Sequence, residues 1–211
     1  ALADERTIAF YGESIPNPLG DILDIEPIAA AAHELGIPLV VDNTIASPYL
    51  IRPIEWGADI VVESATKFLG GHGSSVGGVI VDSGRFDYAS QPDRFPDFNT
   101  PDPSYNGLVY AKDLGVGSPL GNVAFILKAH TAGQRDLGFA LAPHSAFLIA
   151  QGIETLSLRI DETAFTAELG GRSLDLTYRE FARACDTFAD RFTSLGARRG
   201  DRIVVALDRS I

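Results

Sequence analysis

Short apolar runs alternate with helical segments over the first eighty residues, and this alternation constrains the fold more than any other feature of the chain. Such alternation is typical of βα units that build a mostly parallel sheet. We therefore predict the α/β class, with a mostly parallel sheet flanked by helices. The candidate strands are Thr7–Gly12, Ile37–Val41, Asp59–Glu63 and Gly77–Asp82.

The segment between the first two strands carries the signals of a helix. Asp24 stands at the N-cap position, Pro27 lies in the first turn, and Gly36 is placed to end the helix. A second, short helix is predicted near Ile51 to Trp56. The two middle strands are apolar throughout, so we expect helices to cover both faces of the sheet.

The sequence changes character twice after the fourth strand. Residues 86–121 are rich in Pro, Asp, Ser, Asn and Gly and predict a long irregular connection, and helical periodicity returns at 123–137 and 143–160. After Asp161 the pattern predicts a hairpin with a Gly-Gly turn, then an amphipathic helix that begins at the capping box Thr177–Glu180 and ends at Gly196, then a strand at 201–207. We predict two domains, 1–160 and an appended α+β segment, 161–211.

Composition excludes several classes of partner. The net charge of −11 leaves no basic surplus for nucleic acid or an anionic membrane surface, and no apolar run is long enough to cross a bilayer. A single cysteine, Cys185, cannot form an internal disulfide, which favours a reducing compartment, the cytoplasm by default. The four histidines lack paired ligand spacing, so we expect no metal site.

Polar groups end two of the predicted strands. Asp42 closes "IPLVVD", and Ser64-Ala65-Thr66-Lys67 follows "DIVVE". Ligands of open α/β sheets bind beyond the carboxyl ends of the strands. Pyridoxal phosphate requires a lysine for its aldehyde, a carboxylate for its ring nitrogen and donors for its phosphate. On spacing alone, the simpler interpretation of a capping Asp42 and a solvated Lys67 is favoured. The following "GGHGSSVGG" lacks the Gly-Lys-Ser/Thr ending of a nucleotide-binding phosphate loop.

Longer stretches decide between these interpretations. "YGESIPNP", "GIPLVVDNTIASPYLIRPIEWGADIVVESATKFLGGHGSSVGGVIVDSGRFDY" and "RDLGFALAPHSAFLIAQGIETLSLR" occur in this order. Together they closely resemble the Cys/Met-metabolism family of pyridoxal-phosphate enzymes, and within it the sulfhydrylases that use O-acetylhomoserine. The resemblance covers about residues 1 to 160. It implies part of the large domain of a fold-type I, aminotransferase-like enzyme.

The resemblance also assigns roles to individual residues. Lys67 in "SATKF" would be the lysine that forms an imine with the cofactor, and Asp42 in "VVDNT" would pair with its ring nitrogen. Ser64 and Thr66 would give hydroxyls to the phosphate. Asn17 would lie near the phenolic oxygen of the ring, and Thr44 would brace the ring on the Asp42 side. We expect Lys67 to be buried, which favours a neutral, nucleophilic amine.

The activity that the resemblance implies is γ-replacement, in which O-acetylhomoserine and sulfide give homocysteine and acetate. The partners would be an amino-acid substrate and sulfide or another thiol. A cystathionine γ-synthase or γ-lyase reaction remains open, because Lys67 and Asp42 serve all three. The resemblance further implies a homo-oligomer, since the active sites of the family lie between subunits.

Two departures from the family pattern indicate that the chain is not a whole member of the family. A phosphate loop and a ring-stacking tyrosine that the family places upstream, and its carboxy-terminal domain, have no counterpart here. Residues 165–211 instead resemble the start of an adenylate-forming ligase. We therefore expect a segment of a longer protein or a chimera, and a catalytically inactive fragment remains an alternative.

Overall fold

The computed structural model describes residues 3–17, 20–162, 164–169, 172–196 and 198. The chain divides into two compact units, residues 1–154 and 155–211. The boundary predicted from the sequence, after residue 160, stays a prediction. No helix in the described part of the chain is both long and apolar enough to cross a membrane.

The first unit contains a four-stranded mixed sheet. Its order is β1-β2-β3-β4, in which β1, β2 and β3 are parallel and β4 runs antiparallel to β3. This confirms the predicted α/β class with a mostly parallel sheet. The strands are β1 (Phe10–Glu13), β2 (Leu39–Asp42), β3 (Ile60–Ser64) and β4 (Gly78–Asp82).

Helices surround this sheet. The helices of the first unit are α1 (Ile25–Glu34), α2 (Ser47–Leu50), α3 (Pro96–Asn99), α4 (Tyr110–Asp113), α5 (Ala124–Lys128) and α6 (Pro143–Glu154). Short 3-10 turns lie at Pro53–Trp56, Tyr88–Ser90 and Pro103–Tyr105, and a π-helix, Ala129–Arg135, continues α5.

One face of the sheet forms the main core. Leu39 and Val41 of β2 are fully buried against apolar residues of α1, such as Ala32. The other face is covered less completely, since Tyr11 on β1 is 63% exposed and Ile80 on β4 is 50% exposed. The open face therefore leaves room beside the ends of the strands.

The long connection after β4 is more ordered than its composition predicts. Short helical turns interrupt it, and an aromatic cluster holds them together, with the ring of Tyr88 stacked on Phe98 at 4.2 Å and edge-on to Phe86 at 4.8 Å. Aromatic pairs of this kind bury large areas in specific geometries. Contacts between aromatic side chains of this connection thus supply the order that local propensity lacks.

The second unit confirms the predicted hairpin and helix. Strands β5 (Ala164–Leu169) and β6 (Arg172–Thr177) pair antiparallel, after helix α7 (Leu156–Glu162). Helix α8 (Tyr178–Ser194) begins at a complete capping box, in which Thr177 Oγ1 accepts from the Glu180 N–H and Glu180 accepts from the Thr177 N–H. The Gly-Gly turn and the strand predicted at 201–207 lie outside the described residues.

Two local predictions differ from the structure. Asp24 occupies the N-cap position of α1, but its side chain makes no capping hydrogen bond. The helix predicted at 143–160 is divided at Thr155 into α6 and α7. Periodicity reports which residues share an apolar face, and it does not detect a break of one residue.

Candidate active site

The ends of three strands meet at one edge of the sheet. Glu13 is in register with Asp42, and Asp42 is in register with Val62. Because β1, β2 and β3 are parallel, their carboxyl ends all lie at this edge. The structure therefore places Asp42 near the segment that begins at Ser64, at the ends of two adjacent strands.

The Asp42 carboxylate is held by two donors. The Thr44 N–H donates to Oδ1 at 2.9 Å, and the Tyr11 hydroxyl donates to Oδ2 at 3.1 Å. Asp42 itself is half-buried. The carboxylate is thus fixed in orientation and still reaches the open face of the sheet.

Thr44 connects Asp42 to the next strand. Its Oγ1 accepts a hydrogen bond from the Ser64 N–H at 2.8 Å, while its own N–H donates to Asp42. Thr44 therefore joins two of the predicted cofactor-binding residues. Its contact with the cofactor ring stays a prediction.

Lys67 lies in the turn that follows β3. Its N–H donates to the Ser64 carbonyl at 3.1 Å, and its carbonyl accepts from the Gly71 N–H at 2.7 Å. The side chain is exposed, so the expectation of a buried amine was wrong for this structure. The physical reason is that the turn carries Lys67 beyond the last buried residues of the strand. Solvent can therefore reach the Lys67 side chain.

Thr66 is bonded to the glycine-rich loop. Its hydroxyl donates to the Gly77 carbonyl at 3.2 Å and accepts from the Gly77 N–H at 3.0 Å. The hydroxyl proton is therefore engaged by the backbone in this arrangement. The role of Thr66 as a phosphate donor stays a prediction, and the observed role is to close the loop that contains "GGHGSSVGG".

A cavity of about 720 Å³ opens beside these residues. Asp42 and Ser64 contribute to its wall, and the described residues that line it do not include Lys67, Thr66 or Thr44. Other parts of the wall come from Gly78, Val79, Ile80, Ile126, His130, Gln134 and Phe139. The volume lies within the range of about 300 to 1,000 Å³ that is typical of small-molecule sites.

Asn17 is separate from this group. It lies in an exposed turn after β1, and within the described part of the chain no hydrogen bond joins it to Asp42, Ser64 or Lys67. β1 is nevertheless tied to the site, since the Ser14 N–H donates to the Asp42 carbonyl at 2.9 Å. The proposed contact of Asn17 with the ring stays a prediction.

A buried polar pair beside the site was not predicted. Asn43 Nδ2 donates to Glu63 Oε1 at 3.0 Å and to the Ile51 carbonyl at 2.9 Å, on the face of the sheet opposite Asp42. Burial, and the nearby charge of Asp42, raise the pKa of Glu63. The pair links the ends of β2 and β3. The sequence indicated it only by placing a polar residue, Glu63, at the end of an apolar strand.

Helix α6 supports the lysine turn through close backbone contact. A Cβ added to Gly152 would lie 2.0 Å from the Gly70 carbonyl oxygen, so only glycine fits there. Ile149, which is 6% exposed, lies in the same helix and reaches both Gly70 and Gly77. The segment "LIAQGIE" thus packs against the turn that contains Lys67, a contact that the sequence did not indicate.

Comparison with known proteins adds evidence that is independent of this geometry. Residues 1–169 match the model of the family described as Cys/Met metabolism PLP-dependent enzyme. An O-acetyl-L-homoserine sulfhydrylase of Leptospira meyeri is 51% identical over 161 residues, which are 75% of this chain and 36% of that protein. The chain thus spans little more than a third of the length of the curated relatives it matches. The family match ends at residue 169, so the ligase-like character of the last residues stays a prediction.

Two solved structures share the fold of the first unit. A Campylobacter jejuni structure that contains N'-pyridoxyl-lysine-5'-monophosphate has a TM-score of 0.66 and 37% identity, covering 75% of this chain and 38% of that one. A cystathionine gamma-lyase of Lactobacillus plantarum has a TM-score of 0.51 and 28% identity, covering 75% and 32%. The sheet, the strand-end residues and these similarities lead to one conclusion: the chain belongs to the family of Cys/Met-metabolism PLP-dependent enzymes.

Proposed function

We propose that this chain carries the lysine and the ring-nitrogen partner of a pyridoxal-phosphate site that replaces the acetate of O-acetylhomoserine with sulfide, giving homocysteine. The observation that carries the proposal is the arrangement of Asp42 and the Ser64–Lys67 turn at the ends of adjacent parallel strands. The choice of substrate is supported by the Leptospira relative, which is 51% identical in sequence and is named an O-acetyl-L-homoserine sulfhydrylase.

The residues present fit this cofactor. The half-buried Asp42 carboxylate lines a cavity of about 720 Å³, and the exposed Lys67 lies in the turn that follows the adjacent strand. The wall of the cavity combines Asp42 and Ser64 with apolar residues such as Ile80 and Phe139. A flat aromatic ring with one polar edge and one phosphate requires this mixture of surfaces.

The residues would divide the chemistry between them. Pyridoxal phosphate, when bound, supplies an electron sink for charge that develops at the substrate α-carbon. Lys67 Nζ would attach the cofactor, and after release it would move protons between the α-carbon and the β-carbon of the substrate. Asp42 would accept a charge-assisted hydrogen bond from the ring nitrogen. The Ser64 hydroxyl would donate to the phosphate, and the Thr66 hydroxyl would do so after releasing the Gly77 carbonyl to which it donates in this structure.

A second candidate is the cystathionine γ-synthase or γ-lyase reaction. The likeness to the Lactobacillus gamma-lyase favours it, because the same lysine and aspartate would serve either reaction. The assay that separates the candidates supplies the purified chain with pyridoxal phosphate and O-acetylhomoserine, together with sulfide or with cysteine. Sulfide-dependent homocysteine supports the main proposal, and cysteine-dependent cystathionine supports the second. If neither product forms while the cofactor still binds, the chain is a binding fragment without turnover.

We also propose that the chain forms a homo-oligomer in the cytoplasm. Strand β4 supports association, because Val79, Ile80 and Val81 are all between 38% and 50% exposed. Exposed apolar surface of this kind marks interaction sites. The single cysteine fits a reducing compartment. Fractionation of the source cells tests the location.

A further inference from the structure

Tyr11 contacts the most constrained side chain of the candidate site. It lies on β1 in register with Val40, two residues before the position that pairs with Asp42. Side chains alternate between the faces of a strand, so Tyr11 and Asp42 share the open face as diagonal neighbours. The Tyr11 hydroxyl donates to Asp42 Oδ2 at 3.1 Å.

The contact leaves each oxygen of Asp42 free to accept a further donor. Thr44 N–H occupies Oδ1 and the Tyr11 hydroxyl occupies Oδ2, at 2.9 and 3.1 Å. An ionised carboxylate offers about four lone-pair sites, so each oxygen keeps one site. The two donors come from β1 and from the loop after β2, and together they fix the rotation of the carboxylate.

Packing in the core does not explain why a tyrosine occupies position 11. The residue is 63% exposed, so its ring adds little buried area to the core. Its hydroxyl remains a donor at neutral pH, since partial burial and the hydrogen bond to Asp42 raise the pKa of Tyr11. The feature that distinguishes it from other exposed tyrosines is the bond to Asp42.

We propose that Tyr11 is a positioning residue that orients the Asp42 carboxylate toward the ring nitrogen of the bound cofactor. This inference rests on the proposed function, and it adds a residue from β1 to the site. Tyr11 acts through Asp42, by holding Oδ2 so that its remaining lone pair points into the cavity that Asp42 lines. Pre-organised acceptors avoid the cost of ordering when the ligand binds.

The test is Tyr11→Phe, which removes only the hydroxyl. We expect the dissociation constant for pyridoxal phosphate to rise about three- to tenfold, the loss that one typical intramolecular hydrogen bond produces. We also expect the visible circular dichroism of the bound cofactor to change, because the ring loses its fixed orientation. Tyr105→Phe is the matched control, since its ring lies over the Arg135 guanidinium at 4.7 Å, an interaction that does not require the hydroxyl.

A double-mutant cycle distinguishes action through Asp42 from direct contact with the cofactor. In an Asp42→Asn background, the effect of Tyr11→Phe should shrink at least threefold, because the charge-assisted part of the hydrogen bond is gone. An unchanged effect in that background would overturn the proposal, and so would wild-type affinity and dichroism in Tyr11→Phe.

A cofactor-free measurement separates this inference from the proposed function. Alkaline difference spectra of wild type against Tyr11→Phe isolate the ionisation of the Tyr11 phenol. Ionisation should occur at lower pH in Asp42→Asn than in wild type, and an unchanged midpoint would refute the contact. Failure of the proposed function would look different: no reducible attachment of pyridoxal phosphate at Lys67 in the wild-type chain.

Discussion

Two consecutive polar residues at the end of β2 have different roles in the candidate site. Asp42 and Asn43 are consecutive and point to opposite faces, so one lines the cavity while the other is fully buried with Glu63. Buried polar groups are costly unless they are hydrogen-bonded, and Asn43 Oδ1 has no partner within the described part of the chain. The Asn43–Glu63 pair holds the ends of β2 and β3 together behind the candidate site.

Glu63→Gln should make the protein more stable at neutral pH. Burial raises the pKa of Glu63, so the native state binds a proton more tightly than the unfolded state does. The stability that this carboxyl contributes is complete below its ordinary pKa of 4.5 and is lost as the pH rises through its raised value. Glutamine keeps the acceptor for Asn43 and removes the charge.

The measurement is urea unfolding of wild type and Glu63→Gln at several pH values. The difference in the free energy of unfolding between the two proteins should be largest near pH 7. It should disappear as the pH falls below about 4.5, the ordinary pKa of a glutamate in water. Glu34→Gln, on the exposed end of α1, is the control and should change little. A Glu63→Gln protein that is less stable at neutral pH would contradict this account.

Helix α6 acts at the scale of elements, because it positions the lysine turn through a backbone contact. Gly152→Ala places a methyl group 2.0 Å from the Gly70 carbonyl oxygen, and neither backbone can yield without moving the other. We expect a loss of about 1 to 3 kcal/mol in the free energy of unfolding, as for other overpacked sites. Thermal or urea unfolding measures it.

The control for this prediction is Gly133→Ala. Outside the backbone of its own helix and its chain neighbours, no heavy atom of the described residues lies within 4 Å of a Cβ added at Gly133, whose φ is not positive. Alanine there should be neutral or slightly stabilising. If both variants lost the same free energy of unfolding, the cause would be the replacement of glycine in general. That result would refute a specific contact between α6 and the turn.

Elements with strong local signals were predicted from the sequence. The strand positions agree within a few residues because apolar runs bounded by turn residues carry them, and Thr177 and Glu180 form the capping box that their spacing indicates. Asp42 and Ser64 come to one edge because parallel strands end together. These features depend on neighbours in the sequence or on a simple rule of topology.

Features that depend on distant contacts could not be predicted. The hydrogen bond from Tyr11 to Asp42 and the contact of Gly152 with Gly70 join residues that are far apart in the sequence. The exposure of Lys67 likewise depends on how the folded chain packs around its turn. A glycine in a helix pattern indicates weak local propensity, and it does not name the carbonyl that requires it. Such contacts require coordinates.

At the scale of the whole molecule, the chain exposes the apolar strand β4 at the edge of its sheet. β4 pairs with β3, and no other described strand pairs with it, while Val79 and Ile80 are 38% and 50% exposed. Edge strands of this kind favour association with another chain, and charged residues oppose it. The net charge of −11 limits unspecific aggregation without protecting this edge.

Light scattering should therefore give a mass above the monomer value of 22.5 kDa. Val79→Lys should lower the mass toward that value by placing a charge on the edge strand. Leu35→Lys, at an exposed apolar position after α1, is the control and should leave the mass unchanged. A wild-type chain that is monomeric at all concentrations would contradict the expected association.

We propose that Lys67 attaches pyridoxal phosphate, and this attachment can be tested directly because the chain contains only three lysines, Lys67, Lys112 and Lys128. Lys128 lies over the Tyr110 ring at 4.6 Å. The measurement is borohydride reduction of the chain with pyridoxal phosphate, followed by mass spectrometry of its peptides. We expect one stoichiometric adduct on Lys67, which is lost in Lys67→Ala and retained in Lys112→Ala. Equal labelling of all three lysines, or an undiminished adduct in Lys67→Ala, would contradict it.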